Sequence, residues 1–159
     1  MAKRLVDVAA GGLGILVFGI PMALIAAVIK LDSPGPAIFP HNRVGRGGKI
    51  FKMYKFRSMV VGAEELLYRD SQLLTAYVDG DFKLADDPRV TRVGRFLRKS
   101  SLDELPQLLN ILKGEMSLVG PRAFRLEELD RQKEKFPEAK KEIEALLTRS
   151  EEHTSELQS

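Results

Sequence analysis

Asp103 and Glu104 are adjacent carboxylates in the segment SSLDELPQLL, Ser100–Leu109. Such a pair can divide two tasks, one group acting as nucleophile or metal ligand and the other as acid/base partner. Ser101 and Glu104 have the S-x-x-E spacing of a capping box, which predicts a helix start with both carboxylates in its first turn. Pro106, past the first position, predicts an irregular start. A plain cap, with no catalytic role, is the competing reading. Basic groups surround the pair in sequence. Arg98 lies five residues before Asp103, Lys55–Met59 reads KFRSM and offers Lys55, Arg57 and Ser58, and Gly114–Arg122 reads GEMSLVGPR and presents Arg122. Guanidinium grips phosphate in a bidentate fork, so the set suits phosphate chemistry.

The elements that must position these groups can be read from spacing. Ala37–Phe39 and Ile50–Tyr54 are expected as short strands joined through the glycines and basic residues of Arg43–Lys49. Val60–Tyr77 has helical periodicity, and Asp86-Asp87-Pro88 is expected to open another helix with Pro88 at its first position. In RVTRVGRFLRKS, Val90, Val93 and Leu97 form an apolar stripe. Arg89, Arg92, Arg95 and Arg98 recur every third residue, either as a phosphate-binding set or as a solvated basic face. Glu127–Leu147 is charge-rich and interrupted by Pro137, so two helices are expected there.

From Val8 to Ile29 no residue is charged. As one helix this run reaches about 33 Å, enough to cross a hydrocarbon core. Basic residues flank it on both sides: Lys3 and Arg4 before, Lys30 and the Arg43–Lys55 cluster after. Basic flanks prefer the cytoplasmic side, so a straight span would send one of them across. Pro21 lies inside the run, and a helix broken there could enter and return as a re-entrant hairpin. A straight span and a cleaved signal peptide are the alternatives. Asp7 is costly at depth unless paired, and Lys3 or Arg4 stand at helical spacing from it.

The chain has 159 residues, 44% hydrophobic and 30% charged, a globular balance that argues against a wholly disordered chain and against a polytopic transporter. It has no cysteine, so disulfides and cysteine metal sites are excluded. His41 and His153 are too far apart in sequence to suggest a histidine cluster. The net charge is +3, a mild preference for anionic surfaces. With 7% aromatic residues and no tryptophan, nothing points to nucleic acid. The last residues, RSEEHTSELQS from Arg149 to Ser159, resemble the translation of a sequencing adapter, and are set aside from the fold expectations.

Several long motifs in order carry a resemblance: KR-x-x-D before an apolar run with an internal proline, then SPGPAIF, NRVGRGGKIFKMYKFRSM, DPRVTRVGRFLRKSSLDELPQLLNILKG and MSLVGPR. Together they resemble the bacterial sugar transferases, the monotopic polyprenyl-phosphate phosphoglycosyl transferases. The resemblance implies transfer of a hexose-1-phosphate from a UDP-sugar to undecaprenyl phosphate, with release of UMP. This would initiate exopolysaccharide, capsule, O-antigen or glycoprotein glycan assembly. It implies Asp103 as nucleophile, forming a covalent phosphosugar, with Glu104 as its partner. It also implies magnesium, with Asp103 as a ligand, and Arg98 and Arg122 around the phosphates. Lys3, Arg4 and Pro21 would belong to the membrane anchor. The implied fold is α+β and mostly helical: a re-entrant membrane helix over 1–31, then a catalytic domain over 32–148 with a short strand pair on the cytoplasmic face of the bacterial inner membrane. Membrane lipids, a second copy of the chain and glycan-assembly enzymes are the partners to expect.

Ala123 stands where the family commonly has proline, and His41 where it has glutamine. The family continues into a PG-x-TG segment and closing helices, which this sequence does not contain. The competing reading is a catalytically silent membrane-anchored interaction module or an inactive fragment. The intact Asp103-Glu104 pair with Arg98 and Arg122 argues against silence.

Overall fold

The structure is a computed structural model, and it describes residues 2–45, 48–80, 84–120, 123–125, 128–129, 141–142 and 144–145. The expected helices of Glu127–Leu147 fall mostly outside these residues, as do Arg122 and the tail from Arg149. Among the described residues the chain is mostly helical with one two-stranded antiparallel sheet. The elements are α1 (Ala2–Asp32), β1 (Ile38–Val44), β2 (Ile50–Phe56), α2 (Ala63–Arg69), α3 (Ser71–Asp79), α4 (Arg92–Ser100), a 3-10 turn at Leu102–Glu104 and α5 (Gln107–Lys113). The chain divides into two units. One comprises Met1–Val17, Pro40–Tyr54 and Gln107–Ser159, the other Phe18–Phe39 and Lys55–Pro106.

Helix α1 runs through Pro21 as one assigned helix, where a broken pair was expected. The proline removes a single backbone donor, the one aimed at the carbonyl of Val17, and the good helix formers Met22, Ala23 and Leu24 carry the helix on past the gap. Among the described residues α1 alone is long and apolar enough to cross a membrane. Much of its apolar surface is exposed, including Leu13, Leu16, Val17, Ile20 and Leu24.

In the first unit, the opening half of α1 is held by α5. A methyl group on Gly14 would lie 3.0 Å from a Leu108 side-chain carbon, and one on Gly11 3.1 Å from Leu112. The two glycines are the groove that admits these leucines, as small residues do in membrane helix pairs. Arg4 does not pair with Asp7. Its guanidinium donates to the carbonyls of Ile111 and Leu112, both at 2.5 Å, and so caps the end of α5. Asp7, buried, accepts instead from the Leu118 amide at 3.0 Å and from the Ser117 hydroxyl at 3.0 Å. Asn110 is wholly buried. Its side chain accepts from the Tyr54 amide at 2.9 Å and donates to the Lys52 carbonyl at 2.7 Å and to Glu115 at 2.6 Å. It thus ties α5 to β2 with every bond made inside the fold.

The second unit has its own apolar core of Ile29, Ala37, Phe56 and Leu97. Met22, Ile25 and Ala26 join it from α1, and with Ile29 they recur at helical spacing on one face. The strands are longer than expected. Their register is uniform, with Arg57 N–H donating to Ala37 at one end and Gly45 N–H to Lys49 at the other, each at 2.8 Å. The helix expected over Val60–Tyr77 is two helices. Asp70 ends α2 in an extended conformation, and its carboxylate accepts from the amides of Gln72 and Leu73 to cap α3.

Candidate functional site

Strand β2 delivers Lys55 at its end, and the chain continues through Arg57 and Ser58 into an isolated bridge between Met59 and Val90. Helix α4 lies directly against this segment. A methyl group on Gly94 would stand 2.0 Å from the Ser58 carbonyl oxygen, so only glycine permits the approach. The Thr91 amide donates to that carbonyl at 3.1 Å, and the Thr91 hydroxyl caps α4 by accepting from Gly94 N–H at 2.9 Å. At this distance Arg98, one turn further along α4, donates through Nε to the Ser58 hydroxyl at 2.8 Å.

Pro88 does not open the helix; α4 begins at Arg92. The acidic residues before it serve otherwise. Asp87 accepts from the Arg89 amide at 3.0 Å and from its guanidinium at 2.8 and 2.7 Å, with both side chains buried. Burial raises the Asp87 pKa, but the Arg89 hydrogen bonds and charge outweigh it and hold the carboxylate below its usual range. The arginines of this segment therefore do not act as one set. Arg89 is structural and lies over the Tyr77 ring at 5.0 Å, Arg95 pairs with Asp86 at the surface, and Arg98 faces Ser58.

The capping box does not form. Ser101 ends α4 with φ 58 and ψ 15, the only positive φ outside glycine among the described residues, and its side chain makes no cap bond. A β-carbon is disfavoured in that region. The left-handed corner turns the chain into the 3-10 segment Leu102–Glu104, closed by Pro106, which is fully buried. Asp103 and Glu104 thereby reach Lys55. Lys55 Nζ lies 2.6 Å from Glu104 Oε1 and 4.0 Å from Asp103 Oδ2. The Asp103 side chain is 13% exposed and that of Glu104 48%. Burial pushes the Asp103 carboxyl above its ordinary pKa. Lys55 opposes the shift, Glu104 adds to it and Arg98 opposes it. The ionisation expected from a helix start is thus not simply given; it depends on the balance of neighbouring charges.

Of the residues singled out in sequence, Lys55, Ser58, Arg98, Asp103 and Glu104 lie in this one unit around the 3-10 turn. Arg57 has a different task from phosphate binding. It is buried and donates to the Ser33 carbonyl at 2.7 Å, the Ser33 hydroxyl at 2.9 Å and the Pro34 carbonyl, closing the turn that leaves α1. Gly35, at φ 112, makes room for it. Lys3 is exposed on the first turn of α1 and Pro21 is exposed within it. Gly94 and the Asp87–Arg89 clasp were missed in sequence. A lone glycine inside an amphipathic helix was the available signal for the first.

No group of three or more potential metal-ligating side chains occurs among the described residues. Two adjacent carboxylates nevertheless suit a hard cation that asks for one or two carboxylates and completes its shell with phosphate and water oxygens. A half-buried carboxylate beside cations can attack phosphorus or hold such a cation.

A family model described as bacterial sugar transferase matches residues 1–149. The chain is 48% identical over 132 residues to an undecaprenyl-phosphate galactose phosphotransferase of Salmonella typhimurium, covering 81% of this chain and 28% of that protein. It is 47% identical over 131 residues to a galactosyl transferase of Streptococcus agalactiae, covering 82% of this chain and 29% of that one. It is 46% identical over 133 residues to an exopolysaccharide production protein of Rhizobium meliloti, covering 82% of this chain and 59% of the other. The chain therefore spans between roughly a quarter and three-fifths of these relatives.

Proposed function

We propose, because this chain belongs to the bacterial sugar transferase family, that it supplies the catalytic groups for moving a hexose-1-phosphate from a UDP-sugar to undecaprenyl phosphate. The observation that carries the reading is the convergence of Asp103, Glu104, Lys55 and the Arg98–Ser58 pair at one corner.

In this mechanism a carboxylate oxygen of Asp103 attacks the sugar-bearing phosphorus. The bond from that phosphorus to the bridging oxygen breaks, and the oxygen leaves with UMP. An oxygen of the lipid phosphate then attacks the same phosphorus and frees the Asp103 carboxylate. Two phosphate substrates using one site in turn suit such covalent chemistry. Lys55 fixes Glu104 and lowers the cost of ionising Asp103, and Arg98, steadied by Ser58, offers its guanidinium to the phosphate oxygens. Magnesium fits the donor set: Asp103 with Glu104 would hold it, and when bound it would neutralise diphosphate charge. Arg122 would add a second guanidinium from beyond the described residues.

The acceptor is a lipid, and α1 is suited to seat the chain at a bilayer. A full crossing would put Lys3–Asp7 and everything beyond Asp32 on opposite faces. Yet Arg4 and Asp7 bond to Ile111, Leu112, Ser117 and Leu118, and no second helix among the described residues could bring the chain back. These contacts support a helix that enters and leaves by one leaflet, with the domain on the cytoplasmic face where its basic flanks belong.

The test is UDP-sugar-dependent UMP release in vesicles carrying undecaprenyl phosphate, with mass spectrometry of the peptide containing Asp103. The expected result is a hexose-phosphate adduct on that peptide without acceptor, and loss of both adduct and turnover in Asp103→Asn. Full turnover in Asp103→Asn would overturn the assignment.

A further inference from the structure

We propose that Leu118 and Val119 form a second membrane-contacting element, an apolar loop tip that sits in the lipid headgroup and upper acyl boundary beside the start of α1. The inference rests on the membrane seating proposed above and adds a residue-level contact that α1 alone does not supply.

The loop is fixed by α1. Leu118 N–H and the Ser117 hydroxyl both lie 3.0 Å from the buried Asp7 carboxylate. The tip is therefore level with the second turn of α1, where the charge-free run from Val8 begins. With both bonds made, Asp7 tolerates the edge of a low-dielectric layer that a bare carboxylate would avoid. The side chains beyond the anchor are apolar and uncovered. Leu118 is 53% exposed and Val119 75% exposed, and open space surrounds Gly120. At the same level α1 exposes Leu5, Val6 and Val8, so the tip extends an apolar surface that already belongs to the membrane helix. Lys3, exposed one turn earlier, places a positive charge at headgroup height. Exposed apolar side chains with a basic edge, at the depth where an anchor enters, fit anionic lipid rather than a protein partner. Apolar side chains of interfacial elements settle about 5–10 Å into this boundary.

The chain has no cysteine, so single-cysteine variants carry one probe each. Val119→Cys, Val8→Cys and Gln72→Cys would be labelled with an environment-sensitive fluorophore. Each would then be reconstituted in phosphatidylethanolamine and phosphatidylglycerol vesicles containing lipids spin-labelled at the headgroup or along the chain. Far-ultraviolet circular dichroism and thermal unfolding confirm that each variant folds. The expected result is blue-shifted emission from position 119, with quenching within about twofold of position 8 and deepest near the headgroup boundary. Position 72, on exposed α3, should stay unquenched. Quenching at position 8 with none at position 119 overturns this proposal and leaves the membrane seating intact. Absence of quenching at both overturns the seating as well, and with it this inference. Protection at position 119 that depends on protein concentration and not on lipid assigns the tip to a second copy of the chain and also overturns it.

Discussion

Replacing Gly94 by alanine sets two rules against each other. Alanine is the better helix former by about 1 kcal/mol, so propensity alone expects α4 to gain stability. The geometry expects the reverse. The new methyl would lie 2.0 Å from the Ser58 carbonyl oxygen and 2.6 Å from its carbon, whereas real contacts begin past 3.0 Å. The obstacle is backbone, which cannot swing aside, so α4 and the Ser58 segment must part by about 1 Å. Overpacking of this kind costs about 1–3 kcal/mol. In a chain of this length each kcal/mol is worth about 2–4 °C in melting temperature. A fall of several degrees is expected, measured by thermal unfolding in detergent. The same displacement pulls Arg98 from Ser58 and loosens the Thr91 amide, which should exchange with solvent faster. Misplacement by 1 Å can cost about a hundredfold in rate, so UMP release should fall much further than stability does. An unchanged or raised melting temperature, with Thr91 still protected and turnover intact, would refute the close approach.

Three further expectations concern the charges and the buried polar groups. Asp103 is held above its ordinary pKa, so turnover should fall as pH drops through that raised value. Lys55→Met should move this acid limb up in pH by removing a cation, and Glu104→Gln should move it down by removing a like charge, as read in pH–rate profiles. Asp87→Asn leaves the buried Arg89 without its counter-charge and should cost about 3–5 kcal/mol in chemical denaturation. Because the folded state holds the Asp87 carboxyl below its usual range, its contribution is present at neutral pH and fades as pH falls through that lowered value, a dependence the variant should lack. Asn110→Leu strands the Tyr54 amide and the Lys52 carbonyl inside the fold and should cost about 2–5 kcal/mol, whereas substitution of exposed Gln72 should cost nothing measurable.

What could be read from sequence was local. The charge-free run from Val8 to Ile29, the strand pair with its glycine-rich turn, and the adjacent carboxylates at 103 and 104 each announce themselves within a few neighbours. Spacing misled where one residue could serve two purposes. Ser101 and Glu104 have capping-box spacing, but Ser101 instead takes a left-handed corner that swings both carboxylates toward Lys55. Arg57 sits among candidate phosphate groups in sequence, yet closes a turn 24 residues away. Asp7 has two cations at helical spacing and uses neither for hydrogen bonding, because a hydroxyl 110 residues on and an amide 111 residues on fit it better. Contacts of that range leave no periodic trace. Gly94 and Asn110 left the weaker mark of a residue out of keeping with its helix, a glycine amid arginines and an amide among leucines.

The bonds that seat the start of α1 carry a consequence for biosynthesis. Arg4 waits for a partner 108 residues later, and Asp7 for one 111 residues later. At about 5–20 residues per second a ribosome takes about 5–20 seconds to supply them. Throughout that interval the apolar helix exists without α5, its glycine groove empty and the Asp7 carboxylate unsatisfied. On the membrane seating proposed above, delivery to the bilayer would come first, while the carboxylate can still reach water at the interface, and the groove would be filled afterwards by a segment that arrives from the aqueous side. The nascent chain is accordingly exposed to premature contact in proportion to the time spent translating its middle. Slowing the ribosome between the codons for Asp32 and Leu118 should lengthen the period in which the helix is open to proteolysis or to capture by a membrane insertase.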